Sequence, residues 1–166
     1  NASNSVDAQS AYESVISLWG AVMGGVNLLL HGAGWLEGGL LTSYEKMVID
    51  GDILNMISEM LKPITIDDAT LAVEAIAEVG PGGHFFGTSH TQERYTTEHF
   101  QPMVSSWKNF ESWDEDGRFE APERSTKIAQ QMIDAHQEPP MEPQIRAELD
   151  EFVERRIAEG GVETDY

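Results

Sequence analysis

One apolar run constrains this chain more than any other feature. Val26-Asn27-Leu28-Leu29-Leu30 follows the glycine pair Gly24-Gly25 and reads as a buried β-strand. The rest of the 166 residues is patterned for helices and loops. A lone strand cannot make a sheet, because its backbone donors and acceptors need neighbours. A parallel βα barrel normally takes roughly 250 residues. The pattern therefore predicts a mainly α chain with one or two short strands, built as the C-terminal part of a (β/α)8 barrel plus a helical tail. Residues 1–100 are read as the last βα units and 101–166 as the tail.

Helical spacing of Ala8, Tyr12, Val15, Ile16, Trp19, Val22 and Met23 predicts a first helix, with Ser5 and Asp7 as N-caps. Asn1 and Ala2 are set aside as a tag remnant. Ser43 caps a second helix over 44–61. Its two apolar stripes are Tyr44, Met47, Val48, Leu54, Leu61 and Ile49, Ile53, Met56, Met60, which predicts burial on two sides. Asp67 caps a helix running to Val79, and Thr88 or Thr91 opens a short one reaching about Phe100. Residues 101–118 read as irregular, anchored by Trp107, Phe110 and Trp113. Pro122 and Pro143 sit at the starts of two further helices.

Charge narrows the function. Twenty-nine acidic residues against ten basic ones give a formal net charge of −19. Nucleic-acid backbones and anionic membrane surfaces call for clustered Lys and Arg, so neither is an expected partner. Cysteine is absent, which removes disulfides, thiolate catalysis and cysteine metal sites together. With no signal peptide and no apolar run long enough to span a bilayer, a cytoplasmic location is expected.

Two glycine-rich loops could carry chemistry. His31 to Gly39 follows the apolar run directly, and in a βα barrel the loops after strands hold the reacting groups. There His31, Trp35 and Glu37 would project into a shared cavity; the alternative is a tight turn with Trp35 as core. In the second loop, Gly82 to Thr91, His84 and His90 lie six residues apart. They read as the polar wall of a pocket or as structural histidines, and no metal site is assigned. Trp35, Phe85 and Phe86 suggest a site for a quaternary ammonium, whose charge is attracted to aromatic faces, with Glu37 adding charge complementarity; the alternative is that the phenylalanines are core, and at least one of them is expected there. His99 and His136 are expected at the surface.

These segments resemble the trimethylamine methyltransferase family. The likeness is carried by Asp7-Ala8-Gln9-Ser10-Ala11-Tyr12-Glu13, His31 to Leu40, Ser43-Tyr44-Glu45-Lys46, Val79 to Thr91 and Glu138-Pro139-Pro140, in order and with matching spacing. The resemblance implies a (β/α)8 barrel, of which this length would be the C-terminal third. It implies methyl transfer from a methylated or quaternary amine, such as trimethylamine or glycine betaine, to the cobalt of a corrinoid carried by a partner protein. No cofactor would be bound directly. Ordinary residues stand near Ser3 to Ser5, where the family's pyrrolysine would fall, so the non-pyrrolysine type is implied. A quaternary ammonium leaves as a neutral amine and needs no acid help; the protein must hold the cation and align it. On that reading Glu37, His31 and His84 are the catalytic candidates, and Trp35, Phe85, Phe86 and His90 bind substrate. The rival expectation is a non-catalytic helical interaction module. On either reading the chain, with apolar faces uncovered, is expected to form a homo-oligomer.

Overall fold

The computed structural model of the chain describes residues 1–160. It divides into two compact units, Asn1–Met132 and Ile133–Tyr166. The chain is mainly helical, as expected, with two very short strands. In order, the elements are α1 (Ala8–Met23), β1 (Trp35–Leu36), β2 (Leu41–Thr42), α2 (Tyr44–Met60), α3 (Asp68–Leu71), α4 (Val73–Val79), α5 (Ser89–Arg94), α6 (Phe110–Glu115), α7 (Ala121–Asp134) and α8 (Pro143–Glu159).

Helix starts follow their caps. Asp7 accepts from the Ser10 backbone N–H while the Ser10 hydroxyl accepts from the Asp7 N–H, closing a capping box on α1. The same reciprocal pair, Asp67 with Thr70, opens α3. Ser43 caps α2 by accepting from the Lys46 N–H at 3.2 Å, and Pro143 occupies the first turn of α8.

In the first unit α2 is the central element. Ile53 and Ile57 pack on Leu18 of α1, while Val48 packs on Val104 and on Ala129 of α7. Burial on two sides is thus observed, but with a different membership. Tyr44, Met47, Met60 and Leu61 are exposed, and Ile57 joins the core instead.

The predicted strand over 26–30 is not a strand. The segment is irregular, Leu28 and Leu30 are 73% and 71% exposed, and Leu29 alone reaches the core. An extended run needs neighbouring strands to satisfy its backbone, and none stands beside it among the described residues. The strands that do form lie later, inside and after the glycine loop. β1 and β2 make an antiparallel ribbon with Trp35 opposite Thr42 and Leu36 opposite Leu41.

Three boundaries also differ. The helix expected from Asp67 to Val79 breaks at Ala72, whose φ of +53° is left-handed. The helix after Thr88 ends at Arg94 rather than near Phe100. The stretch over 101–118 contains α6, capped by Asn109, and Trp107 and Phe110 lie at the surface instead of anchoring it. In the second unit Pro143 starts α8 as expected, and Arg146 pairs with Glu138 at 3.0 Å. That pairing raises the Arg146 pKa further above its ordinary value.

Candidate functional site

The first glycine loop is pinned at Gly34. Its N–H donates to Asp50 Oδ2 at 2.9 Å, and its carbonyl accepts from the Ser43 N–H at 3.2 Å. Gly34 has φ of +88°, a left-handed conformation that favours glycine, and a Cβ there would make a tight 3.2 Å contact with Thr42 Oγ1. Further along, the Glu37 and Gly38 N–H groups donate to the carbonyls of Ser3 and Asn1 at 2.9 and 2.8 Å. Asn1, set aside at the outset, is therefore part of the structure that shapes this loop.

The side chains on the loop are unevenly placed. Trp35 is half-buried, and His31 meets it edge-on, with ring centroids 5.0 Å apart and planes at 71°. Together with Asn1, Ser14, Leu18 and Asp50 they line a small cavity of about 90 Å³. Glu37 is exposed at the loop's outer end. His31 and Glu37 both have left-handed backbones, with φ of +58° and +49°. Such conformations cost about 1–3 kcal/mol each for residues with side chains and concentrate at functional sites.

Beneath the loop lies a buried polar chain that sequence reasoning missed. Lys46 is fully buried and Asp50 is 2% exposed. The Lys46 ammonium donates to Asp50 Oδ1 and, at 2.7 Å, to Ser14 Oγ of α1. A second buried carboxylate, Asp52, accepts from the Met103 and Val104 N–H groups at 2.7 and 3.1 Å and ties the segment before α6 to α2. One signal was available. Lys46 and Asp50 stand at i and i+4 on a helix with two apolar stripes, where a charge pair has little solvent to face.

Around this core, three carboxylates at or near the surface have lowered pKa values. Glu13 lies below the usual carboxylate range because it accepts from the Gln9 amide and from the Ala2 and Ser3 N–H groups. Glu45 is lowered chiefly by the Ser43 hydroxyl, at 2.6 Å. Asp7 is lowered chiefly by the Ser10 N–H of its own cap.

The second glycine loop is organised locally. The His84 and Phe86 rings meet at a tilt of 42° with centroids 5.9 Å apart, Phe85–Gly87 form one 3-10 turn, and Thr88 caps α5 by accepting from the Thr91 N–H. Phe85 and Phe86 are 46% and 78% exposed. His90 Nε2 donates to the Ala69 carbonyl at 2.8 Å, joining the loop to α3. It borders a cleft of about 700 Å³ lined also by Asp68, Glu74, Glu78 and Ser89. The structure thus brings His31 to Trp35 and His84 to Phe86. The cavity at the first loop and the cleft at the second share no lining residue. Among the described residues, no three His, Asp or Glu side chains gather as a metal-ligand set, and no helix is long and apolar enough to cross a membrane.

Comparison with known proteins gives this arrangement a context. The family model described as trimethylamine methyltransferase matches residues 1–161. The glycine betaine methyltransferase of Desulfitobacterium hafniense (strain Y51) is 36% identical over 163 residues, which are 98% of this chain and 34% of that protein. Trimethylamine methyltransferase MttB of Desulfitobacterium hafniense (strain DSM 10664 / DCB-2) is 30% identical, over 94% of this chain and 31% of its own length. For MttB2 of Methanosarcina mazei the identity is 29%, over 90% and 30%. The chain spans about a third of the length of the curated relatives it matches.

Proposed function

The chain belongs to the trimethylamine methyltransferase family, and from that premise we propose that it is the C-terminal part of a (β/α)8 methyltransferase acting on a quaternary amine. The methyl acceptor would be a corrinoid carried by a partner protein. His31 and His84 are exposed rings set against Trp35 and Phe86. Their role is assigned on the amine side.

The observation that supports this reading is the first loop's backbone. Two non-glycine residues, His31 and Glu37, hold left-handed conformations on either side of a half-buried tryptophan. A turn that served connection alone would place glycine at such positions. The arrangement fixes an aromatic face and, two residues on, sets a carboxylate at the surface. Both attract a quaternary ammonium. Trp35 would hold the cation by its ring face, Glu37 would balance its charge, and His31 would keep the indole from turning. His84, Phe85, Phe86 and His90 would add a second polar and aromatic wall once the remaining barrel is in place. A quaternary ammonium is favoured over trimethylamine because its charge persists at every pH, matching sites that recognise charge without a proton to donate.

A second reading is favoured by the exposed apolar side chains Leu28, Leu30, Leu40, Ile64 and Ile66. They suit a chain that covers itself against another surface, by self-association or as an interaction module without catalysis.

In the full-length protein, Trp35→Ala is expected to weaken amine binding about 2- to 30-fold, the range of a cation–π contact. Glu37→Gln should lower methyl transfer as well, while His136→Ala should be silent. The measurement is methyl-corrinoid formation by absorbance, with glycine betaine and trimethylamine compared. Wild-type rates in both loop variants, with the fold intact, reject the assignment.

A further inference from the structure

The buried Lys46–Asp50 pair has no place in the site reading above, yet it is costly to keep. Desolvation offsets most of the attraction between two buried charges, and apolar side chains of similar size would join α1 to α2 as well. What apolar side chains cannot do is accept a hydrogen bond. Asp50 spends one oxygen on Lys46 and turns the other, Oδ2, to the Gly34 N–H at 2.9 Å. Gly34 is the residue immediately before Trp35, and its N–H reaches out of the loop to a helix sixteen positions away. Lys46 is itself held by Ser14 of α1 at 2.7 Å, and Ser14 accepts from the Asn1 amide at 3.4 Å. Among the described residues, no buried side-chain nitrogen or oxygen lacks a hydrogen-bond partner. A fully satisfied buried network specifies one geometry.

We propose that Asp50 is a positioning residue for the aromatic loop: its Oδ2, oriented by Lys46, sets the Gly34 peptide and thereby the direction in which Trp35 is presented. This rests on the reading of Trp35 as an amine-binding residue. Lys46 acts one step further back, neutralising Asp50 so that the carboxylate can stay ionised without solvent. Asp50 borders the cavity beside Trp35, but it is 2% exposed and its two oxygens are engaged by Lys46 and Gly34, so it acts through the loop.

Two double variants of the full-length protein test this. Lys46→Met with Asp50→Asn removes both charges but leaves an oxygen facing Gly34. Lys46→Met with Asp50→Leu removes both charges and the oxygen, at similar side-chain size. The two differ at the atom in question and avoid a buried unpaired charge. Hydrogen exchange of the Gly34–Leu36 amides, thermal midpoint, and kcat/KM for methyl transfer are measured side by side. The Leu pair is expected to melt near the Asn pair, yet to show about 2- to 10-fold less Gly34 protection, the range for a bond to a neutral acceptor. It should also lose at least several-fold in kcat/KM, which the Asn pair restores. Equal protection in the two pairs overturns the proposal whatever the activity. Unequal protection with equal activity overturns the positioning role. A wild-type protein with no amine methyl transfer overturns the functional reading alone, because exchange at Gly34 is read without substrate and still decides the anchor.

Discussion

The two glycine loops use similar residues and are held in opposite ways. His31 to Gly39 is fixed by groups outside the loop: Asp50 on α2, sixteen residues from its partner Gly34, Ser43 just before α2, and Ser3 and Asn1 far away in the N-terminal segment. Gly82 to Thr91 is held mostly by its own neighbours. Thr88 accepts from the Thr91 N–H and donates to the Phe85 carbonyl, and Gln92 donates to the Phe86 carbonyl at 2.5 Å. Its longer reach is the bond from His90 to the Ala69 carbonyl, twenty-one residues away. The consequence shows in burial, since Trp35 is half-covered while Phe86 stands 78% exposed. A loop tied to a core has its side chains aimed before any ligand arrives. A loop tied to itself keeps its shape but leaves its aromatics in search of a surface.

The comparison breaks most sharply at the buried pair. Lys46→Ala strands the Asp50 charge and should cost about 3–5 kcal/mol of stability, measured by denaturant unfolding. A loss near zero would mean that the first loop is no more core-anchored than the second. Next comes Gly34→Ala, which imposes a side chain at φ of +88° and crowds Thr42. About 1–3 kcal/mol is expected, with the loss of Trp35 order visible as faster exchange of its indole N–H. Gly83→Ala is the matching test in the second loop. Its Cβ would sit 2.6 Å from the Val79 carbonyl oxygen, so the damage should stay at the end of α4 and leave Trp35 untouched. The smallest effect belongs to Thr88→Ala. Removing this cap from a short helix should cost about 1 kcal/mol and loosen Phe85 and Phe86 without affecting the first loop. Coupled exchange changes at Trp35 in either second-loop variant would show the two loops acting as one unit.

Helix starts were legible in the sequence because capping is local. Asp7, Ser43, Asp67 and Pro143 each act within a turn of their own position. So were both glycine loops as breaks between helices, since glycine clusters interrupt a helical pattern locally. The left-handed break at Ala72 was not legible, because alanine favours the unbroken helix there.

Composition and periodicity alone determined that this chain is mostly helical and that α2 is covered on two sides. These depend on residue spacing, which any fold must respect. Tertiary structure alone decided the rest. The run Val26 to Leu30 has strand residues but no strand to pair with, so backbone hydrogen bonding left it irregular. Lys46 and Asp50 have the composition of a surface pair but lie in the contact between helices. Whether a charge faces water or a neighbouring carboxylate is set by what packs over it, and that is written in no local stretch of the chain.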